Sequence, residues 1–175
     1  MIGFEGKRLE SERLCYRLLQ YGDREKLMRI LSDPDVTRPA GFMPPASAFA
    51  EDKFWNALTE YDTAVAVLRG DEIIGYLHVN PYRMGGEFEG KSCVSVGFVI
   101  GRAYQRHGYG REMLSFLSAY LRRRFDCVFG DCFDDNTPSR KTLISCGYRF
   151  VEGYTMFFPE LCEEKKLKCF VFDKS

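Results

Sequence analysis

The sequence offers little with which to hold a metal ion or a disulfide framework. Its seven cysteines are an odd number, they run singly from Cys15 to Cys169, and no Cys-x-x-Cys pair occurs. The only imidazoles are His78 and His107. A structural zinc site draws on a closer set of Cys and His, so no metal is expected. Free, mostly buried thiols in a cytoplasmic protein are the expected state. No stretch approaches the roughly 20 apolar residues of a membrane span, and Met1–Glu10 carries no apolar run of signal-peptide type. An excess of one charge is missing too: 25 Lys and Arg balance 25 Asp and Glu. That balance gives no global attraction for nucleic acid or a membrane surface, although a local basic cluster can still serve an anionic ligand.

What is present is material for one core. Of 175 residues, 45% are hydrophobic and 15% aromatic, enough to fold as a single domain over residues 1–175. The chain shows no internal repeat and no linker. Alternation predicts a strand at Leu14–Leu18, and Asp23 is placed to cap a helix to about Leu31, stopped at Pro34. A Pro-rich loop follows over Thr37–Ala46, then a helix from the cap Ser47 to about Leu58. Strands are expected at Thr63–Leu68, Ile73–Val79 and Cys93–Ile100, with a mobile glycine-containing loop over Pro81–Gly90. Met113, Leu114, Leu117, Leu121 and Phe125 give one helical stripe between Gly108 and about Phe125. A strand at Cys127–Phe133 precedes a helix from Pro138 to Gly147 with Leu143 and Ile144 inward, and strands at Tyr148–Phe158 and Lys166–Phe172 close the chain. This order implies an α/β fold: a mixed, partly antiparallel (α+β) sheet of about seven strands with helices on both faces.

The segment Val94–Gly110 carries the most chemistry. A buried strand ends near Ile100, and a short loop leads through Gln105-Arg106-His107-Gly108-Tyr109-Gly110 into the amphipathic helix. A helix N-terminus leaves main-chain N–H groups unpaired and bears partial positive charge. Glycine at 108 and 110 lets a bulky anion approach the main chain, which makes a pyrophosphate cradle. The plainer reading is that these glycines only shape a tight strand-to-helix turn. A dinucleotide fingerprint fails because Met113 stands where its third glycine belongs, and a P-loop fails because no Gly-Lys-Ser/Thr follows.

Gln-x-x-Gly-x-Gly at the mouth of a helix resembles the acyl-CoA motif of the GNAT superfamily of N-acetyltransferases. Asn136-Thr137-Pro138-Ser139 followed by Cys146-Gly147-Tyr148 resembles its companion motif. Leu9-Glu10-Ser11-Glu12-Arg13-Leu14 and Ser32-Asp33-Pro34-Asp35-Val36 look like the RimJ/RimL-type branch, and Ile74-Gly75-Tyr76 resembles the family's Ile-Gly hairpin strand. The resemblance covers nearly the whole chain. It implies the GNAT fold with a splayed central sheet, acetyl-CoA as co-substrate, and an amine acceptor, in a monomer or homodimer.

The same resemblance implies the site. The main chain of Arg106, His107, Gly108, Tyr109 and Gly110, flanked by Gln105 and Arg111, would hold the pyrophosphate. Pantetheine would pair with the edge at Phe98, Val99 and Ile100, with the Val99 N–H a candidate to polarise the thioester carbonyl. Asn136 and Ser139 would contact the cofactor arm, or Asn136 would cap the helix at Pro138. The chain departs from the family at two positions: Ser95 stands where many members carry Glu, and Leu143 where many carry the acidic Tyr. Ser95 and Tyr148 are the remaining catalytic candidates, Tyr148 being in its plainer and preferred reading a packed aromatic after Gly147. Asp131, Asp134 and Glu87 are possible bases or solvated carboxylates, and Cys132 is a buried structural thiol in its plainer reading. Phe42, Met43, Trp55 and the Pro81–Gly90 loop would wall the acceptor entrance, or these aromatics form the core of the helical pair, which is the plainer reading for Trp55. The departures keep a second class open: an acyl-CoA-binding module with weak or lost catalysis.

Overall fold

The computed structural model describes residue 4 and residues 6–61 and 63–173. Residues 1–3 and 5 of the N-terminal stretch assessed for a leader lie outside them. Eight strands form one sheet in the order β1-β2-β3-β4-β5-β6-β8-β7. They are β1 (Leu9–Glu10), β2 (Cys15–Leu18), β3 (Ala64–Arg69), β4 (Glu72–Tyr82), β5 (Cys93–Ile100), β6 (Cys127–Phe133), β7 (Arg149–Phe158) and β8 (Glu163–Asp173). The strand beyond the expected set is β1, two residues long, held antiparallel on β2. It has too few residues to show alternation.

Helices α1 (Arg24–Leu31), α2 (Pro34–Thr37) and α3 (Ala48–Thr59) lie on one face. Their buried side chains Leu27, Leu31, Trp55 and Leu58 meet Tyr76 and Val99 of the sheet. Trp55 is therefore core rather than a wall of an entrance. Helices α4 (Tyr109–Leu121) and α5 (Thr137–Ser145) cover the opposite face, where Met113, Leu114, Leu117 and Leu143 pack on Val94, Val96 and Val128.

Several local expectations need correction. Asp23 does not cap α1 with its side chain; its carboxylate takes a two-pronged ion pair from Arg17 at 2.5 and 2.8 Å. Pro34 ends α1 but also starts α2, because its fixed φ suits a first helical position and Asp33 accepts from the Asp35 N–H. β4 runs on to Tyr82, and the following turn buries Phe88 against Phe129, so much of the supposed mobile loop is anchored. α4 ends at Leu121, where Arg122 closes a turn by donating to the Phe125 carbonyl. Ile144 faces solvent at 55% exposure, while Leu143 is the inward residue.

The feature that positions the site is where the sheet comes apart. β5 and β6 are parallel neighbours only from Cys93↔Cys127 to Ser95↔Phe129. Beyond that point β5 stays on β4 as far as Ile100, and β6 stays on β8 as far as Phe133. A strand edge is thus opened in the middle of the sheet. Gly75 is required beside it, since a Cβ there would sit 2.1 Å from the Val99 carbonyl oxygen.

Candidate functional site

Gly101 donates its N–H to the Ile74 carbonyl at 2.8 Å, and the β4–β5 register runs unbroken from there. In an antiparallel pair, alternate residues turn their main-chain groups to the same neighbour. Val99 and Gly97 therefore face β4, and Phe98 and Ile100 face the opened edge. The Val99 N–H is directed away from the opening, so the expectation for it is corrected: the N–H groups of Phe98 and Ile100 are the ones aimed into the gap. The Ile100 carbonyl already accepts from Gln105 Nε2 at 2.9 Å, which fixes the loop that follows.

That loop ends in an unsatisfied run of donors. Arg106 and Gly108 have positive φ, at 63° and 81°, and Gly108 is the left-handed residue from which α4 starts. A branched side chain at Gly108 would be strained whatever space it had. The first helical hydrogen bond runs from the Glu112 N–H to the Gly108 carbonyl. Among the described residues, the N–H groups of Arg106, His107, Gly108, Tyr109, Gly110 and Arg111 find no protein acceptor. Such a run at the positive end of a 13-residue helix suits a phosphate-type anion. The residues present thus fit the pyrophosphate of a CoA thioester. The Tyr109 side chain is turned inward and buried, so only its main chain faces the loop.

A clamp not visible in the sequence holds this loop. Glu112 accepts from the Ser11 hydroxyl at 2.6 Å and the Arg13 N–H at 2.7 Å on one oxygen, and from Arg13 Nε at 2.7 Å on the other. Arg13 also donates to the His107 carbonyl at 3.0 Å and lies over the Tyr109 ring. Burial raises the Glu112 pKa, but the hydrogen bonds from Ser11 and Arg13 and the Arg13 charge outweigh it, and the net shift is downward. The clamp's partners lie 99 residues apart in sequence, so no local pattern announces it.

Asn136 uses both ends of its side chain. Its oxygen caps α5 by accepting from the Ser139 N–H at 3.1 Å, and its amide donates to the Pro39 carbonyl at 3.2 Å. It thereby ties α5 to the Pro-rich loop across the end of the opening. Ser139 is half-buried beside it, and Arg111 is exposed on the first turn of α4. Tyr148 lies in the core at 3% exposure, its hydroxyl 2.6 Å from that of Ser118. Burial pushes its pKa up, only partly opposed by the Ser118 bond. The structure places Tyr148 among packed side chains, apart from the opened edge, which is the environment of a core aromatic. Ser95 is half-buried on the last β5 position still paired with β6, opposite Asn80 and Phe129.

The possible bases separate clearly. Asp134 is exposed and paired with Lys168 at 2.6 Å, and Glu87 is paired with Arg149 at 3.2 Å. Among the described residues Asp131 has no cationic partner, and its Oδ1 is buried without a hydrogen bond. The Cys132 thiol is buried and its pKa is raised by that burial, the reverse of an activated nucleophile. Among the described residues no group of three or more His, Cys, Asp or Glu side chains is placed to hold a metal ion, and no helix is long and apolar enough to cross a membrane.

A strand-to-helix anion cradle beside an opened sheet edge defines a class of acyl-CoA enzyme, and the family comparison agrees. The family described as acetyltransferase (GNAT) domain matches residues 13–149. The chain belongs to the GNAT acetyltransferase family: it is an N-acetyltransferase by class and uses acetyl-CoA. No curated protein matches it in sequence. Among solved structures it is similar to a GNAT-family acetyltransferase from Bacillus anthracis, with 18% identity and a TM-score of 0.76 over 95% of this chain and 98% of that one. A putative ribosomal-protein-serine acetyltransferase from Vibrio cholerae shares 20% identity and a TM-score of 0.75 over 96% and 98%. A putative acetyltransferase from Salmonella typhimurium, solved with acetyl-CoA, shares 16% identity and a TM-score of 0.68 over 93% and 94%. At these identities the likeness is one of fold.

Proposed function

We propose that this chain, as one domain over residues 1–175, transfers the acetyl group of acetyl-CoA to a primary amine by direct attack in a ternary complex. The acceptor class is a protein N-terminus or a small-molecule amine, as in the RimJ/RimL-like branch, and the enzyme acts in the cytoplasm as a monomer or homodimer. The observation that carries the reading is the unpaired N–H run from Arg106 to Arg111 next to an opened β5 edge. The cradle would hold the pyrophosphate, and the Phe98 and Ile100 main chain would align the pantetheine arm. Gln105, Asn136 and Ser139 brace the two sides of that groove. The thioester supplies the activated acyl group; the protein supplies placement, which for well-oriented groups is equivalent to about 10⁵ M or more of reactant. A donor in the opened edge supports the carbonyl oxygen as charge develops there.

The branch assignment rests on the Leu9–Leu14 and Ser32–Val36 motifs and on the fold likeness to the Vibrio cholerae protein. A second reading, a CoA-binding module without efficient chemistry, is favoured by one observation: Leu143, where many relatives carry an acidic Tyr, is buried at 1% exposure and offers no hydroxyl. Release of free CoA thiol from acetyl-CoA, measured over a panel of alkylamines and peptides with free N-termini, separates the two. The proposal expects amine-dependent release with at least one acceptor class. Tight acetyl-CoA binding with no amine-dependent release would establish the binding module instead.

A further inference from the structure

On the face away from α4 and α5, one row of side chains crosses the place where the sheet comes apart. His78 on β4 pairs with Gly97 on β5, and Asp131 on β6 pairs with Cys169 on β8. Gly97 and Asp131 each lie two residues past the last β5–β6 pair, Ser95↔Phe129, and so face one another across the gap. The space over Gly97 is open, since a Cβ there would meet no atom within 4 Å. On one side of the row, Phe88 and Tyr82 close over Phe129. On the other, the loop at Gly41 reaches Phe133 and Phe158. Between these two coverings Asp131 stands at the rim of the opening.

Its surroundings do not balance its charge. Across the sheet it meets the Cys169 thiol, and from β7 the Tyr154 hydroxyl and the Glu152 carboxylate; the Tyr82 phenol of β4 reaches the same cluster. Among the described residues no cation joins them; Oδ1 is buried without a hydrogen bond, while the Asp131 side chain as a whole is only partly buried. Buried carboxylates are ordinarily paired, so one that is not is a place where a cation from outside completes the site. Burial raises the Asp131 pKa, the Cys169 and Tyr154 groups oppose it, and the Glu152 charge adds to it; the net direction is upward. His78 on the opposite rim is held toward its neutral form by burial and is bonded to the Thr63 hydroxyl at 2.8 Å. It therefore does not compete as a cation.

We infer that Asp131 anchors the ammonium form of the acceptor at the opened sheet and is the base that takes its proton. This rests on the acetyl-transfer reading above. The Asp131 carboxylate accepts one proton from R–NH3⁺, giving a neutral carboxyl and R–NH2. The nitrogen lone pair then forms the C–N bond to the thioester carbonyl carbon. The C–S bond breaks with its electron pair going to sulfur, and the acylated nitrogen gives its surplus proton to that thiolate. Asp131 returns its proton to solvent. The substrate class is a primary amine that is protonated when it arrives, because the site offers a negative charge and no positive one.

Asp131→Asn keeps the shape and removes the charge. With an alkylamine acceptor, kcat/KM at neutral pH should fall about 10²-fold, within the range for a general base. The deficit should shrink as pH rises toward the amine's own pKa, and should be small at neutral pH for hydroxylamine, which is already unprotonated. Equal losses at every pH and for both amines, or no loss, would overturn the inference. Two readouts do not depend on turnover. Butylammonium should raise the Tm of the wild type at neutral pH and leave that of Asp131→Asn unchanged; equal shifts in both proteins would count against the anchor. A carboxyl whose folded pKa is raised stabilises the fold below its unfolded pKa of about 3.9 and loses that contribution as pH rises through the folded value. The Tm of Asp131→Asn relative to wild type should therefore rise with pH through that window; a flat difference would contradict the unpaired charge. If no amine releases CoA from the wild type, acetyl transfer fails as the function while the butylammonium shift still decides whether Asp131 binds a cation.

Discussion

The two sides of the opened sheet are built from different materials. On the α4 side, the proposed acetyl-CoA groove is made of main chain: N–H groups from Arg106 to Arg111 and the β5 edge at Phe98 and Ile100. On the opposite side, the proposed acceptor site is made of side chains, with two phenols around Asp131, and His78 beside the bare Gly97. A main-chain site binds what any relative must bind, and its requirements on sequence are conformational, chiefly glycine. A side-chain site can be rewritten residue by residue without disturbing the sheet. This accounts for a chain that keeps the cradle while carrying Ser95 and Leu143 where relatives carry acid–base groups.

The contrast can be broken most strongly at the cradle. Gly110→Val places a branched side chain against Ile100 and Phe98, between the helix start and the opened β5 edge, and losing one or two charge-assisted hydrogen bonds of about 1.5–3 kcal/mol each should raise the acetyl-CoA Kd on the order of 100-fold. Gly108→Val should do the same but also lower Tm by several degrees, since φ is 81° there. Calorimetric titration and thermal melts separate the two effects; wild-type affinity in both variants would mean the cradle is elsewhere. On the other side, Ser95→Ala should reduce turnover only roughly tenfold or less, below the usual effect of removing a general base, because the proposed proton acceptor is Asp131. A larger loss measured in the CoA-release assay would move the chemistry to Ser95.

Smaller effects sharpen the boundary. Glu112→Gln loosens the Arg13 clamp and should weaken acetyl-CoA binding by a few-fold. The folded pKa of Glu112 is depressed, so its stabilising contribution is present above the unfolded pKa of about 4.3 and is lost as pH falls through the folded value. The Tm gap between wild type and Glu112→Gln should accordingly close in acid; a gap that persists unchanged would deny the clamp its ionic character. Tyr148→Phe should leave kcat/KM within about twofold and cost about 1 kcal/mol through the lost Ser118 bond. A loss of turnover without a loss of stability would restore Tyr148 as an acid.

Legibility in the sequence follows the same division. α4 was readable from its stripe and β5 from its β-branched run, since each is a local pattern. The turn into α4 was readable because glycine at 108 reports a left-handed backbone, whereas Gly110 adopts an ordinary one. The β1 strand was too short to alternate, and the continuation of β4 to Tyr82 was masked by Pro81, which reads as a loop signal. Pro34 marks a helix start as well as a stop, and the sequence alone gave its second role no weight. The Arg13–Glu112 clamp and the isolation of Asp131 are products of long-range register. Asp131, Asp134 and Glu87 look alike in sequence, and only their partners tell them apart: Lys168 for Asp134, Arg149 for Glu87, and for Asp131 the Cys169 thiol and Tyr154 hydroxyl with no cation among the described residues.

The most direct test of the division is a side-by-side titration of acetyl-CoA into Gly110→Val and Asp131→Asn. The account predicts that Gly110→Val raises Kd on the order of 100-fold while Asp131→Asn binds as the wild type does. A comparable weakening in Asp131→Asn, or wild-type affinity in Gly110→Val, would contradict it.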